Sequence, residues 1–147
     1  MIRWLLDTNV ISEVRRKRPA KEVTKWIDGI ELDCLFTTAV NIAEFRFGIS
    51  NRKSAADAHS LTLWLEGTVR PWFNNRVIEV GEESFFRWRV LARELERKQL
   101  PAPAVDLLIA AIALEHDLHV ATRDTRPFIG TGVPVLNPWT GERFNGA

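Results

Sequence analysis

The sequence predicts an α/β fold with a central, mostly parallel sheet of four to five strands flanked by helices. Two observations carry this expectation. Short apolar runs of strand length alternate with longer stretches of helical periodicity, the pattern left by strands joined through crossover helices. In addition, Asp7-Thr8-Asn9 and Thr38 directly follow two of the strand-like runs. Such side chains cap helices, so the chain passes from strand into helix with almost no loop.

Arg3 to Leu6 reads as a short buried strand, and Val10 to Val14 begins a helix that the basic loop Arg15-Arg16-Lys17-Arg18-Pro19 ends. A second helix covers Ala20 to Ile30, with Val23, Trp26 and Ile27 at helical spacing. Asp33 to Thr37 is the second strand, and Thr38 caps a helix from about Ala39 to Ser50. One helical region follows over Ala55 to Phe73, then a third strand at Val77 to Val80. Glu82 to Gln99 sets charges on one side and Phe85, Trp88, Leu91, Ala92 and Leu95 on the other, which is an amphipathic helix. Pro101-Ala102-Pro103 breaks the chain before a helix from Ala104 to about His116. Leu118 to Ala121 and Val133 to Leu136 supply the last strands.

A chain of 147 residues is read as one domain, 1–147, long enough to bury a core. Its 46% hydrophobic and 27% charged residues are ordinary for a soluble globular protein. A formal net charge of +1 selects no class of partner, and a local basic patch remains free to meet nucleic acid. The single cysteine, Cys34, cannot close an internal disulfide, so a reducing, cytoplasmic setting is expected. No run is apolar enough to predict a membrane span or a signal segment.

The informative residues are acids in apolar surroundings. In the run Ala104 to Leu114, Asp106 is the one polar residue. A helix apolar all round is expected to be buried, where an unpaired carboxylate is costly. Its place in the first turn helps, because the helix dipole favours negative charge there. Glu44 repeats the pattern, with Val40, Ala43 and Phe47 on its face by helical spacing. Asp7 ends the first strand and Asp124 follows the strand ending at Ala121. Functional groups of open parallel sheets collect beyond the carboxyl ends of the strands, so the four acids are expected to meet at one crevice. Four carboxylates in one place repel each other unless a cation is present. Magnesium suits such a site because it needs only one or two carboxylates and keeps several waters. His59, His116 and His119 form no metal-ligand pattern with Cys34.

Each acid also has an ordinary explanation. Asp7 and Asp106 are in place to be plain helix caps, Glu44 to pair with an arginine, and Asp124 to be a solvated loop residue. Arg15 to Arg18 reads first as a solvated turn. Arg46, Arg123 and Arg126 flank the acids and are better placed to meet phosphate.

Four segments together resemble the PIN-domain family, in particular its VapC/FitB-type toxins. They are Leu5-Leu6-Asp7-Thr8-Asn9-Val10-Ile11-Ser12-Glu13, Ala43-Glu44-Phe45-Arg46-Phe47-Gly48-Ile49, Val105-Asp106-Leu107-Leu108-Ile109-Ala110-Ala111, and Ala121-Thr122-Arg123-Asp124 with Phe128, Gly132 and Asn137-Pro138-Trp139. They stand in family order and span nearly the whole chain. The resemblance implies a PIN-like fold, a homodimer, and a cognate antitoxin that blocks the site and carries the complex to operator DNA. It implies Asp7 and Asp106 as magnesium ligands, with manganese as a substitute ion. Glu44 and Asp124 would complete the acidic pocket, and Asn9 and Thr122 would support it. The chain departs from many relatives in having Pro127 where an aspartate precedes the phenylalanine, and Asp124 where they carry asparagine.

The reaction expected is metal-dependent hydrolysis of RNA, with Arg46 and Arg123 on the substrate. Two rivals remain at this stage. One is a phosphoacceptor or phosphatase domain using Asp7. The other is a non-catalytic dimeric module whose acidic pocket docks an arginine of a DNA-binding partner.

Overall fold

The computed structural model describes residues 1–146. The chain runs β1 (Trp4–Leu6), α1 (Thr8–Arg15), α2 (Lys21–Asp28), β2 (Leu35–Thr38), α3 (Ala39–Ser50), α4 (Ala55–Trp64), α5 (Arg70–Trp72), β3 (Val77–Ile78), α6 (Glu82–Arg97), α7 (Ala104–Glu115), β4 (His119–Ala121), β5 (Val135–Leu136) and β6 (Arg143–Phe144). The sheet order is β3-β2-β1-β4-β5-β6. Every pairing is parallel except β5 with β6.

The α/β class and the parallel sheet are as expected, but the sheet has six strands where four to five were predicted. The additional one is β6, antiparallel to β5 with Val135 opposite Phe144. Gly141, at φ +80°, makes the turn between them, and its N–H donates to Asn137 O at 2.8 Å. The region from Ala55 to Phe73 is not one regular helix. It loosens into a π-helical turn over Leu65–Val69, where Leu65 and Val69 both face the core.

Alternation along the strands explains the layers. Trp4 and Leu6 of β1 face one side of the sheet, packing with Val10 and Ile11 of α1 and Val23 and Ile27 of α2. Leu5 faces the other side, against Leu91 and Leu95 of α6 and Ile109 and Ile112 of α7. Val120 and Ala121 of β4 divide in the same way. The central strands are therefore buried on both faces, as continuous apolar runs in a parallel sheet require. α6 and α7 lie antiparallel, with Ser84 Oγ donating to Glu115 Oε2 at 2.6 Å and Trp88 Nε1 to Ala104 O at 3.0 Å. This pairing returns the first turn of α7 to the carboxyl edge of the sheet, where Asp106 joins the residues that follow β1, β2 and β4.

Candidate active site

β1 and β4 are neighbouring parallel strands with Leu6 opposite Ala121, so the residues that follow them, Asp7 and Thr122, emerge side by side. Asp7 is 6% exposed, and its carboxylate is held at both oxygens. Oδ1 accepts from Thr8 N at 2.8 Å and from Asn41 Nδ2 at 3.2 Å, while Oδ2 accepts from Thr122 Oγ1 at 2.8 Å. The Thr122 hydroxyl in turn accepts from Asn9 Nδ2 at 3.1 Å and from Asp124 N at 3.2 Å. Its one donor and two acceptor positions are all used. Asn9 Oδ1 accepts from Arg123 N at 3.1 Å, which ties the start of α1 to the loop after β4.

Asn41 was not singled out from sequence, and it is fully buried beside Asp7. Thr38, the N-cap of α3, donates to Asn41 Oδ1 at 2.6 Å and accepts from Asn41 N at 3.2 Å. The reciprocal pair fixes the amide so that its NH2 points at Asp7. The available signal was an asparagine in the first turn of an otherwise apolar helix, three residues after its capping threonine.

Glu44 and Asp106 lie within electrostatic reach of Asp7, and Asp124 within reach of Asp106. Burial and the charges of Asp7 and Asp124 raise the carboxyl of Asp106 to about 6. Glu44 is raised by burial and by the charges of Asp7 and Asp106. Asp7 is raised mainly by its own burial, against the lowering effect of its hydrogen bonds. Among the described residues, none of the four is ion-paired with a lysine, arginine or histidine. Glu44 therefore lacks the arginine partner its ordinary explanation required.

Glu44 differs in one respect from the sequence expectation. The stripe it shares with Ala43 and Phe47 is exposed, Phe47 at 69%, while α3 buries Asn41 and Ile42 on its other side. Glu44 reaches the acidic centre from the surface. Arg46 is exposed, about 200° further round the helix. Arg123 and Asp124 are also exposed. Beside Glu44 lies a groove of about 330 Å³ between α1, α3 and α4, bordered by Thr8, Arg15, Arg16, Arg52 and Trp64. Arg15 and Arg16 thus line a groove next to the acids as well as the turn after α1.

Among the described residues, no three histidine, cysteine, aspartate or glutamate side chains are gathered as a ready-made metal cage. The donors are nevertheless all carboxylates, none of them ion-paired among the described residues, beside a buried and oriented Asp7. That suits a hard divalent ion such as magnesium, which binds one or two carboxylates and retains water elsewhere.

The PIN-domain family profile matches residues 4–132. The plasmid stability protein StbB of Pseudomonas syringae pv. tomato is 39% identical over 92% of this chain and 97% of its own length. The VapC ribonuclease Y4jK of Sinorhizobium fredii is 34% identical over 92% and 96%, and toxin FitB of Neisseria gonorrhoeae 35% over 92% and 97%. Two solved structures superpose closely. FitAcB from Neisseria gonorrhoeae gives a TM-score of 0.88 at 34% identity, over 93% of this chain and 99% of that one. FitAB bound to an IR36 DNA fragment gives 0.87 at 33%, over 95% and 97%.

Proposed function

The chain belongs to the PIN-domain family, and from that premise we propose that it is the toxin of a toxin–antitoxin pair, an endoribonuclease that hydrolyses RNA phosphodiester bonds. What supports the reading is the chain of mutual charge effects that links Glu44 and Asp106 to Asp7 and Asp124 to Asp106, with none of the four ion-paired among the described residues. No serine–histidine or cysteine–histidine pair is hydrogen-bonded among the described residues to offer another route. The relatives named ribonuclease and toxin favour hydrolysis over a module that only docks an arginine.

Magnesium is the cofactor of this reading, with manganese as its substitute, and Asp7 and Asp106 are its ligands. A divalent ion held there supplies charge neutralisation at the phosphate and lowers the pKa of bound water. The remaining work falls to the chain. Thr122 and Asn41 hold Asp7 in one orientation, so no reorganisation accompanies loading. Glu44, raised by burial and by its acidic neighbours, takes the proton of the attacking water, and Asp124 orients that water. Arg123 and the groove arginines bind RNA phosphates. Arg46, facing away from Glu44, contacts the RNA only outside the cleavage centre.

The partners follow from the same reading. A cognate antitoxin silences the site, and operator DNA is met through it, in keeping with the relative solved on a DNA fragment. The chain is a homodimer in the cytoplasm, where its RNA is. Support for pairing comes from apolar side chains left open on α3 and α6, Phe47 at 69% and Phe86 at 62% exposed.

The test is single-turnover cleavage of a structured RNA by purified protein, with magnesium or with chelator. Magnesium-dependent cleavage that disappears in Asp7→Asn is expected. Undiminished cleavage by an Asp7→Asn, Asp106→Asn double variant would overturn the proposal.

A further inference from the structure

The loops after β4 and β5 carry a pair whose aromatic member has no role in the acidic centre. β4 and β5 are adjacent parallel strands with Ala121 opposite Leu136, so the residues following them leave the sheet at the same edge. Arg123 comes from the first loop and Trp139 from the second, and the guanidinium carbon of Arg123 lies over the Trp139 ring, 4.8 Å from its centroid.

Both partners are anchored. The Trp139 ring packs against the core face that contains Leu6, Ala121 and Leu136, and its backbone N–H donates to Asn137 Oδ1 at 2.9 Å. The Arg123 backbone is fixed by its N–H bond to Asn9. Among the described residues Arg123 forms no ion pair, although Asp124 is its neighbour in the chain. Its side chain is exposed. The arrangement is a cation over a core-packed indole, with the arginine side chain exposed, one residue from Thr122 and one from Asp124.

We propose that the Arg123–Trp139 stack is a nucleobase subsite, receiving the base next to the scissile phosphate. This rests on the ribonuclease reading of the acidic centre. A guanidinium that only neutralised a phosphate would need no aromatic partner, and a lysine would serve. A guanidinium held over an indole extends the aromatic surface. It offers a face on which an unstacked base can lie, while its N–H edge stays free for the base rim or the adjoining phosphate. Stacking is tolerant of base identity, so the subsite sets which nucleotide is held beside the cleaved bond more by its being unpaired than by its letter.

The test compares cleavage of one RNA oligonucleotide carrying a mapped cut with the same oligonucleotide made abasic, one position at a time, at the nucleotides flanking that cut. For the unmodified protein, one flanking abasic position lowers kcat/KM by about tenfold, mainly through KM. Arg123→Ala lowers kcat/KM on the intact RNA similarly and loses the abasic effect at that position. Arg123→Lys keeps the charge and does not restore it. Trp139→Phe, which keeps a ring under the cation, retains most of it. Thermal melts of the variants establish that they are folded; Arg123 is exposed and its removal leaves the melt unchanged. An abasic penalty equal in Arg123→Ala and the unmodified protein overturns the subsite, as does no penalty at any flanking position. A protein that cuts no RNA at all refutes the nuclease reading instead, and the two failures are thereby distinguished.

Discussion

Thr122 Oγ1 donates to Asp7 Oδ2 at 2.8 Å, joining two residues 115 positions apart in the chain. The bond exists because β1 and β4 are parallel neighbours in register, which sets the first residue after each strand side by side. One hydroxyl thereby orients the most buried acid of the centre, the start of α1 and the loop that carries Asp124.

Replacing that hydroxyl tests the network. Thr122→Val removes the donor to Asp7 and leaves Asn9 Nδ2 without its acceptor. RNA cleavage falls about 10- to 100-fold, the usual range for an outer partner of a metal ligand. Stability drops by about 1–3 kcal/mol from the unsatisfied groups. Thr122→Ser preserves the hydroxyl and recovers most of both, as read by single-turnover rates and urea unfolding.

The raised carboxylates make a statement about pH. Asp106 is pushed up to about 6 from 3.8, and Asp7 and Glu44 are raised as well. A raised carboxylate binds its proton more tightly in the folded chain than in the unfolded one. Its stabilising effect is therefore gained as pH falls through the folded value and lost as pH rises above it. Metal-free protein should gain melting temperature from these acids between pH 8 and pH 5. His119, lowered by burial, pulls the other way over part of that range. The informative quantity is thus the difference between the unmodified protein and Asp106→Asn. Asp106→Asn melts higher at pH 8, by a few degrees, and the gap narrows as pH falls below about 6, closing only near the ordinary carboxylate value of 3.8. A variant that melts lower at pH 8 contradicts the electrostatic account.

A second buried acid has a structural task. Glu13 is 5% exposed, accepts from Ala20 N at 3.0 Å and lies 3.4 Å from Arg16 Nη1. It closes the basic loop 15–19 and satisfies a free N–H at the start of α2. Glu13→Ala is expected to cost about 1–3 kcal/mol in urea unfolding. An unchanged unfolding midpoint shows that the loop does not depend on this contact.

Asn41 offers the complementary test. Asn41→Leu retains the volume and removes both the donor to Asp7 Oδ1 and the acceptor for Thr38. Cleavage falls by about 10-fold or more, while Asn41→Asp, which sets a further negative charge against Asp7, loses more. Equal activity of all three proteins would remove Asn41 from the account of the site.

Much of this arrangement was legible in the residues. Asp7 at the end of a buried strand, Asp106 as the lone polar residue between Ala104 and Leu114, and Asp124 just past β4 each mark the same sheet edge once the strands are taken as parallel. Glu44 was legible as an acid in the wrong company, but for a partly mistaken reason. Helical spacing groups it with Ala43 and Phe47, and it cannot say whether that face is buried, since the burial depends on which side of α3 meets the sheet. Asn41 escaped notice because an uncharged amide in a helix's first turn is also ordinary capping chemistry. β6 escaped because Arg143-Phe144 is two residues long, and only its pairing across the Gly141 turn makes it a strand. The Arg123–Trp139 stack depends on the adjacency of β4 and β5, which local periodicity does not encode.

The central claim is that Asp7 and Asp106 hold a divalent ion whose charge relieves the crowding of the acids. Calorimetric titration of magnesium into metal-free protein, in buffers of different ionisation enthalpy, reads both binding and the protons displaced. Binding is predicted to release protons near pH 6, where Asp106 is partly protonated, to release almost none at pH 8, and to vanish in Asp7→Asn with Asp106→Asn. Binding of undiminished strength in that double variant, or no binding to the unmodified protein at either pH, would contradict it.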